Sequence, residues 1–315
     1  MRIIHFFPKS KALGFLDSFK DFLHSNYEEL YNHFSRTEDF YGILDSRIYY
    51  TDIIVITAHG YPDYIVGEEV SGEAVLLTLE QFHRCKHSFI FAFSCSTGDL
   101  GAQICREHKA IAYLGFNDII DLVVKTEGQA YKNELKKILR KIYNDSLCKS
   151  FTEFLANNYN IDQFARLISK NLELSYSLIL AMSPEQLKIT FSLPQKVVDE
   201  PKFLKILQTD LLTTINSVRK RIVIHGEPEF IPWLFIDTKD KTRIEQLISK
   251  IEKSVFKDSY NNYYKYFLLG HLYRALGIAS ESKKFFRLAY SLNSEYIRLN
   301  SYLNDNEIEE LIQTG

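Results

Sequence analysis

Two residues whose side chains can cooperate in covalent chemistry each follow an apolar segment of the chain. His59 comes directly after residues 52–58, and Cys95 comes directly after residues 88–94. Both segments are short and almost continuously apolar, which is typical of strands buried on both faces of a parallel sheet. The interval between them is long enough for one crossover connection. We therefore expect the imidazole and the thiol to lie at the same edge of one sheet.

An imidazole beside a thiol supports nucleophilic attack on a carbonyl group, because the imidazole can accept and return the proton. The tetrahedral oxyanion that forms needs N–H donors, and the backbone amides of Gly60 and Cys95 are the candidates. Gly60 has no Cβ, so a substrate backbone can approach it closely. Residues 96–98 predict a tight turn that presents the thiol before a helix begins. The alternative interpretation is a buried histidine and a buried thiol with no chemical role, since free cysteine is often fully buried.

The elements that must position these residues alternate between strands and helices over residues 1–237, which predicts an α/β domain with a mostly parallel sheet flanked by helices. The chemistry of such sheets takes place at the carboxyl ends of the strands. Further strands are predicted at residues 2–7, 110–115 and 221–224, helices at 13–34, 126–143 and 161–182, and a hairpin followed by a short helix within 60–87.

A strand followed by His-Gly, and a later strand ending in Ser-Cys-x-Thr-Gly, resembles the caspase-like peptidase clan and most closely its CHAT branch. The matching segments are ITAHG at 56–60, FSCSTGDLGA at 93–102 and AYLGF at 112–116. The resemblance implies a caspase-haemoglobinase-like fold over residues 1–237. It also implies that Cys95 is the nucleophile, that His59 is the general acid and base, and that the Gly60 and Cys95 N–H groups form the oxyanion hole.

The activity implied by this resemblance is that of a cysteine endopeptidase, which needs no metal or cofactor. CHAT-like peptidases often occur in bacterial defence or cell-death systems, antiviral defence included, where they cut a partner such as a gasdermin. The expected partners are accordingly a protein substrate, either gasdermin-like or another effector, and an activator protein.

The sequence departs from the family at the position that sets substrate preference. Relatives that cut after Arg or Lys usually carry Asp two residues before the nucleophile, where this chain has Phe93. Asp118 and Asp121, just after the third buried strand, are the alternative source of a basic preference. Phe93, Asp118 and Asp121 are therefore the candidate residues of the substrate pocket, and we expect an uncharged or apolar P1 residue.

Two other groups of residues offer competing sites. His225 also follows a strand, but it lies after Cys95 in the chain, against the His-before-Cys order of the clan. His83, Cys85 and His87 form an H-x-C-x-H cluster that could bind a metal if it lay on one strand. The cluster straddles a predicted helix–strand junction and has no second ligand pair, so we predict no metal site.

Residues 238–315 have helical patterns and no strand signals, and residues 263–296 resemble one TPR repeat of about 34 residues. One repeat cannot form a long groove, because about three are normally needed for independent stability. We expect this region to pack on the first domain or to dock an activator, with flanking helices at 241–256 and 301–313. The residues at TPR-like spacing are Tyr266, Leu269, Gly270, Tyr273, Gly277, Phe286 and Ala289.

The overall composition excludes several other classes of protein. The formal net charge of −2 provides no general attraction to nucleic acid or to an anionic membrane. No apolar stretch approaches the roughly 18 residues that a membrane helix needs. Four cysteines are too few for a disulfide scaffold, which indicates reduced thiols and a cytoplasmic protein.

Two hypotheses compete with the endopeptidase. The first is a non-catalytic scaffold built on the same fold with TPR-like helices, and the second is an enzyme that cleaves a non-peptide amide or ester. If the chain processes itself, we expect the cut within the polar stretches 144–150 or 194–202.

Overall fold

The computed structural model describes residues 2–10, 13–46, 53–233, 236, 238–300 and 303–313. Asp52, where the second predicted strand begins, lies outside the described residues. So does Asp237, at the predicted domain boundary.

The protein is an α/β protein with a six-stranded, mostly parallel sheet flanked by helices. The strand order is β2-β1-β3-β7-β8-β9, and only β9 runs antiparallel to its neighbour. A separate antiparallel sheet has the order β4-β5-β6. The strands are β1 (Ile3–Phe6), β2 (Tyr31–Phe34), β3 (Ile53–Ile56), β4 (His59–Gly60), β5 (Tyr64–Val70), β6 (Glu73–Thr78), β7 (Phe89–Ala92), β8 (Ala112–Phe116) and β9 (Ile222–Gly226).

The described part of the chain also forms helices on both faces of the sheet and throughout its C-terminal region. They are α1 (Asp17–Tyr27), α2 (Thr37–Ser46), α3 (Gly98–His108), α4 (Lys132–Ala156), α5 (Ile161–Leu180), α6 (Pro184–Phe191), α7 (Gln195–Val198), α8 (Pro201–Ile206), α9 (Leu212–Lys220), α10 (Lys241–Lys253), α11 (Asn262–Ala275), α12 (Ala279–Leu292), α13 (Ser294–Asn300) and α14 (Asp305–Gln313). Among the described residues, no helix combines the length and the apolar character that a membrane crossing requires.

Successive residues of the central strands bury their side chains on opposite faces of the sheet. Ile53 and Val55 belong to the core under α1, α4 and α5, whereas Ile54 and Ile56 belong to the core under α2 and α3. All four are fully buried. This double burial explains why β3 and β7 are apolar at every position, since neither face meets solvent.

Two predictions from the sequence are wrong, and the helix predicted over residues 126–143 is shifted to Lys132–Ala156. The helix predicted over residues 13–34 ends at Tyr27, and Tyr31–Phe34 forms β2, which pairs in parallel with β1. Residues 31–34 form a strand despite the helical spacing of their aromatic side chains, because pairing with β1 outweighs this local preference.

The second error concerns residues 144–150, predicted to be exposed, which lie inside α4 with Asn144, Ser146 and Ser150 buried. These small polar side chains hydrogen-bond within the helical layer, as Ser150 does with Asn171 of α5 at 3.0 Å. The other predicted processing stretch includes the exposed Pro194, Lys196 and Lys202.

The C-terminal region contains the predicted pair of packed helices, α11 and α12. A Cβ on Gly270 would come within 2.9 Å of the Phe286 ring, so glycine allows close packing there, and Gly277 adopts a φ of +78° in the turn. The Tyr264 ring of α11 packs at a tilt against Phe230, with centroids 4.6 Å apart, and its hydroxyl donates a hydrogen bond of 2.6 Å to the carbonyl of Ile231. The region therefore packs directly on the α/β part of the chain.

Candidate active site

The two predicted motifs leave neighbouring strands at the same edge of the sheet. β3 and β7 are parallel, with Ile56 opposite Ala92, so the segments that follow them emerge side by side. The hydroxyl of Ser94 donates a hydrogen bond of 2.9 Å to the carbonyl of Ala58. This bond ties the segment before His59 to the segment before Cys95.

Gly60 lies directly against the turn that carries Cys95. A Cβ at this position would lie 2.5 Å from the carbonyl oxygen of Cys95 and 2.4 Å from Cγ2 of Thr97. No side chain other than hydrogen fits without a backbone shift, so glycine is required for close approach. The His-Gly pair and the Cys95 turn therefore lie at the same edge, as the sequence predicted. The close approach at Gly60 is that of Cys95 and Thr97, however, and not the predicted one of a substrate backbone.

The turn after β7 has the shape that residues 96–98 predicted. Ser96 adopts a φ of +54°, and its N–H donates a hydrogen bond of 3.0 Å to the carbonyl of Asp118. Helix α3 begins at Gly98, so Cys95 stands half-buried between the end of a strand and the start of a helix. Within the described part of the chain, the Cys95 N–H makes no hydrogen bond, as a donor to an oxyanion would require.

His59 is half-buried and held by the pairing of β4 with β5, where it lies opposite Val66. Its Nε2 lies 3.2 Å from the hydroxyl oxygen of Ser10. Among the described residues, no hydrogen bond joins this imidazole to the Cys95 thiol. Ser10 was missed by sequence reasoning. It follows β1 closely, and the placement of β1 next to β3 would have pointed to it.

The Cys95 thiol is engaged by the loop that follows β8. The N–H of Ile120 donates to Sγ at 3.2 Å. Burial raises the pKa of Cys95 above its ordinary value, the Ile120 N–H opposes this rise, and the Asp121 carboxylate adds to it. In this conformation the sulfur is therefore mainly a thiol rather than a thiolate.

Asp118 and Asp121 are both brought close to Cys95, and both are ion-paired to Arg221. Nη1 of Arg221 lies 2.7 Å from Oδ2 of Asp121, and its Nε lies 3.3 Å from Oδ2 of Asp118. Arg221 comes just before β9, whose antiparallel direction places this residue at the carboxyl edge of β8. Sequence reasoning missed Arg221, because the direction of β9 cannot be read from its residues.

Phe93, the third candidate pocket residue, lies in the hydrophobic core and is 3% exposed. Its ring packs edge-on against Phe116 and Tyr143, with centroid distances of 5.5 and 5.7 Å. Any effect of Phe93 on a substrate would therefore act through these neighbouring rings.

The competing sites lie elsewhere. His225 pairs with Tyr113 near the amino end of β8, whereas Cys95 follows the carboxyl end of β7. In the H-x-C-x-H cluster, His83 is exposed and donates to the Glu80 carbonyl, while His87 is buried against Tyr263. No group of three or more His, Cys, Asp or Glu side chains within the described ranges could hold a metal ion.

A groove with a volume of about 440 Å³ lies next to Ser10. Ser10, the hydrogen-bonding partner of His59, lines this groove together with Lys9, Lys20 and His33. The groove lies at the carboxyl edge of β1 and β2, on the side of His59 away from β7.

No protein-family model matches the chain, and a search of curated proteins finds no significant match.

Proposed function

We propose that the protein is a cysteine endopeptidase of the caspase-like CHAT type, with Cys95 as nucleophile and His59 as general acid and base. The observation that supports this most directly is the contact of Gly60 with the backbone of Cys95. This contact brings a histidine, a half-buried cysteine and an unused backbone N–H to one edge of a parallel sheet, where sites commonly form.

The reaction would proceed in two acyl-transfer steps. His59 takes the thiol proton, and Sγ of Cys95 attacks the carbonyl carbon of the scissile peptide. The Cys95 and Gly60 N–H groups stabilise the oxyanion. The protonated imidazole then gives its proton to the leaving amine, the C–N bond breaks, and a thioester remains. A water molecule, deprotonated by His59, attacks the thioester and releases the acid product and free Cys95.

The groove beside Ser10 supports an orientation for the substrate. Because His59 protonates the leaving amine, the C-terminal part of the substrate lies on the His59 side of the site. The groove lined by Ser10, Lys9 and Lys20 is on that side. The acyl part of the substrate then lies towards Asp118, Asp121 and Arg221.

The resting arrangement supports an enzyme with a low basal activity, which substrate binding and an activator would raise. His59 is hydrogen-bonded to Ser10, and the Cys95 thiol accepts a hydrogen bond from Ile120. Catalysis requires the His59 imidazole to turn towards Sγ of Cys95. It also requires the loop after β8 to release this sulfur. Catalytic hydrogen bonds commonly tighten only when substrate is bound. An activator protein docking on the C-terminal helices would serve this role, and a gasdermin-like effector in a bacterial defence pathway is the proposed substrate class.

The test is cleavage of a proteome-derived peptide library, read as new chain ends by mass spectrometry. The samples are wild type, Cys95→Ala and the matched control Cys105→Ala. Cys105 lies next to Gly226, at the opposite end of the sheet from His59. We expect cuts by wild type and Cys105→Ala and none by Cys95→Ala. Equal cutting by Cys95→Ala would contradict the proposed nucleophile.

A non-catalytic scaffold is the second candidate function. The observation that favours it is that His59 and Cys95 bond to other groups rather than to each other. A scaffold predicts no cuts by any variant and the same binding partners for wild type and Cys95→Ala. Co-purification of partners with both chains from a native lysate, without any new peptide ends, would support it.

A further inference from the structure

The loop after β8 carries two carboxylates that meet one guanidinium. Arg221 contacts Asp121 at 2.7 Å and Asp118 at 3.3 Å, and it also donates to the carbonyl of Ile119. A guanidinium presents its donors in a planar fork that suits several acceptors at once. Arg221 therefore fills the acidic position that this loop creates.

This acidic position borders the proposed nucleophile. Ile120, between the two aspartates, donates its N–H to Sγ of Cys95 at 3.2 Å. Ser96, next to Cys95, donates its N–H to the carbonyl of Asp118 at 3.0 Å. The P1 side chain of a substrate is attached to the carbon next to the one that Sγ attacks. It therefore lies within reach of the groups around this thiol.

We propose that Arg221 determines specificity: it takes the place that a Lys or Arg side chain at P1 would occupy, so that the site selects uncharged P1 residues. The proposal rests on the proposed peptidase function and names the substrate class of that site. Under this proposal, Asp118 and Asp121 belong to the wall of the P1 pocket, but the enzyme does not prefer Lys or Arg at P1.

Burial makes Arg221 difficult for a substrate to displace. The side chains of Arg221 and Asp121 are only 21% and 16% exposed, whereas that of Asp118 is 56% exposed. Displacing the guanidinium would leave it without the partners that compensate its loss of hydration. A basic P1 side chain would then find only Asp118 open to it, already shared with Arg221.

The proposal is tested first by binding, without any need for catalysis. Agmatine carries the guanidinium of an arginine side chain on a four-carbon chain that ends in an ammonium group. We expect Arg221→Gln to bind agmatine at least about tenfold more tightly than wild type in low-salt calorimetry. The double variant Arg221→Gln/Asp121→Asn is the control and should return to the wild-type affinity.

Either of two results would overturn the proposal: an agmatine affinity of Arg221→Gln no higher than wild type, or no loss of affinity when Asp121→Asn is added. Circular dichroism checks that each variant is folded. If Arg221→Gln does not fold, Arg221→Lys replaces it. Lysine keeps the charge but loses the fork, so an intermediate gain is expected, and no gain would again overturn the proposal.

Cleavage of the peptide library separates this proposal from the peptidase function itself. We expect wild type to cut after uncharged residues and Arg221→Gln to add cuts after Lys and Arg. A wild-type preference for Lys or Arg would overturn the specificity proposal while leaving the peptidase intact. If agmatine binds as expected and no variant cuts any peptide, the proposed peptidase function is wrong. The conclusion that Arg221 fills the acidic position of the loop after β8 would still hold.

Discussion

The carboxyl edge and the amino edge of the central sheet each carry a histidine, and the two imidazoles differ in how many partners they have. His87, just before β7, is 1% exposed, with a 2.5 Å hydrogen bond to the Tyr263 hydroxyl and Nδ2 of Asn293 3.4 Å from its Nε2. His59 is half-buried and has a single hydrogen bond, to Ser10, within the described residues. His87 is locked in place, whereas His59 is free to exchange partners.

The carboxylates at the two edges differ in exposure, although Asp118 and Asp121 also have a partner in Arg221. Glu227, after β9, is fully buried and accepts hydrogen bonds from the N–H groups of Lys257 and Asp258 and from the side chain of Asn261, at 2.7 to 2.9 Å. Asp118 at the carboxyl edge is 56% exposed. The amino edge therefore uses its polar groups to attach the C-terminal helices.

The difference shows how one sheet can separate structure from chemistry. Buried polar groups with all partners present make one arrangement stable and costly to change. Groups with few partners can bind a substrate or move a proton without first breaking a network. The same residue types are thus a structural joint at one edge and a candidate reaction site at the other.

Replacing His59 or His87 singly by alanine is expected to give the largest effects, on peptide cleavage and on stability respectively. If the comparison is correct, His59→Ala lowers peptide cleavage at least about a thousandfold, because the proton carrier is lost. Its free energy of unfolding should change by less than about 1 kcal/mol. His87→Ala should instead lose about 3 kcal/mol of stability, since it leaves the buried Tyr263 hydroxyl without its hydrogen-bonding partner. Urea unfolding and library cleavage measure the two effects.

His83→Ala is the matched control for both, because His83 is exposed. It donates a hydrogen bond to the Glu80 carbonyl, and its ring lies edge-on to that of His108 at 6.4 Å. This variant should change neither stability nor cleavage. A stability loss for His59→Ala as large as that for His87→Ala would show that His59 is also a structural residue, and the contrast between the edges would fail.

Glycines at the two edges provide the next largest effect. A Cβ added at Gly60 would lie 2.5 Å from the carbonyl oxygen of Cys95. A Cβ added at Gly226 would lie 2.5 Å from the carbonyl oxygen of Ile111. Gly226 also has a φ of +72°. We expect each Gly→Ala variant to lose about 2–4 kcal/mol of stability through overpacking and backbone strain. Only Gly60→Ala should also move the Cys95 turn and abolish cleavage in the fraction that remains folded.

Gly42→Ala is the control for this pair, because no atom beyond its chain neighbours and the local helix backbone lies within 4 Å of the added Cβ. In the interior of α2 this change should stabilise the protein by up to about 1 kcal/mol. If Gly60→Ala is as stable and as active as Gly42→Ala, the contact between the His-Gly pair and the Cys95 turn is wrong, and the main support for the proposed site disappears.

The parts of the fold that the sequence predicts are those where local pattern and tertiary packing agree. Strands β3 and β7 are apolar throughout, so their double burial could be inferred without a structure. Strand β2 could not, since Tyr31–Phe34 alternates weakly and continues a helical spacing. Its place depends on pairing with Ile3–Phe6, a contact between segments distant in the chain.

The same distinction holds within the site. His59 and Cys95 each follow a strand directly, so the topology of a parallel sheet predicted their common edge. Ser10 and Arg221 reach the site only through the strand order and the reversed direction of β9. Neither contact can be inferred from residue type or local spacing. Ser10 is the hydrogen-bonding partner of His59, and Arg221 is the ion-pairing partner of the two aspartates.

The smallest expected effect concerns the reactivity of Cys95 and its dependence on pH. Burial raises the thiol pKa, so the folded chain ionises Cys95 at a higher pH than the unfolded chain. Across that interval the unfolded state has lost the proton and the native state has kept it. The contribution of Cys95 to stability therefore falls as pH rises through the ordinary thiol range. Alkylation by iodoacetamide from about pH 7 to about pH 10 follows the thiolate directly.

Cys105 and Cys148 provide the internal comparison, because burial raises the pKa of each to about 12. We expect Cys95 to react severalfold more slowly in the folded chain than in urea, yet faster than these two thiols. Asp121→Asn removes a negative charge that disfavours the thiolate and should accelerate alkylation of Cys95 a fewfold. A Cys95 midpoint below the ordinary thiol pKa would mean that a cation already stabilises the thiolate. The resting site would then be an active His59–Cys95 pair, and the proposed need for an activator would be removed.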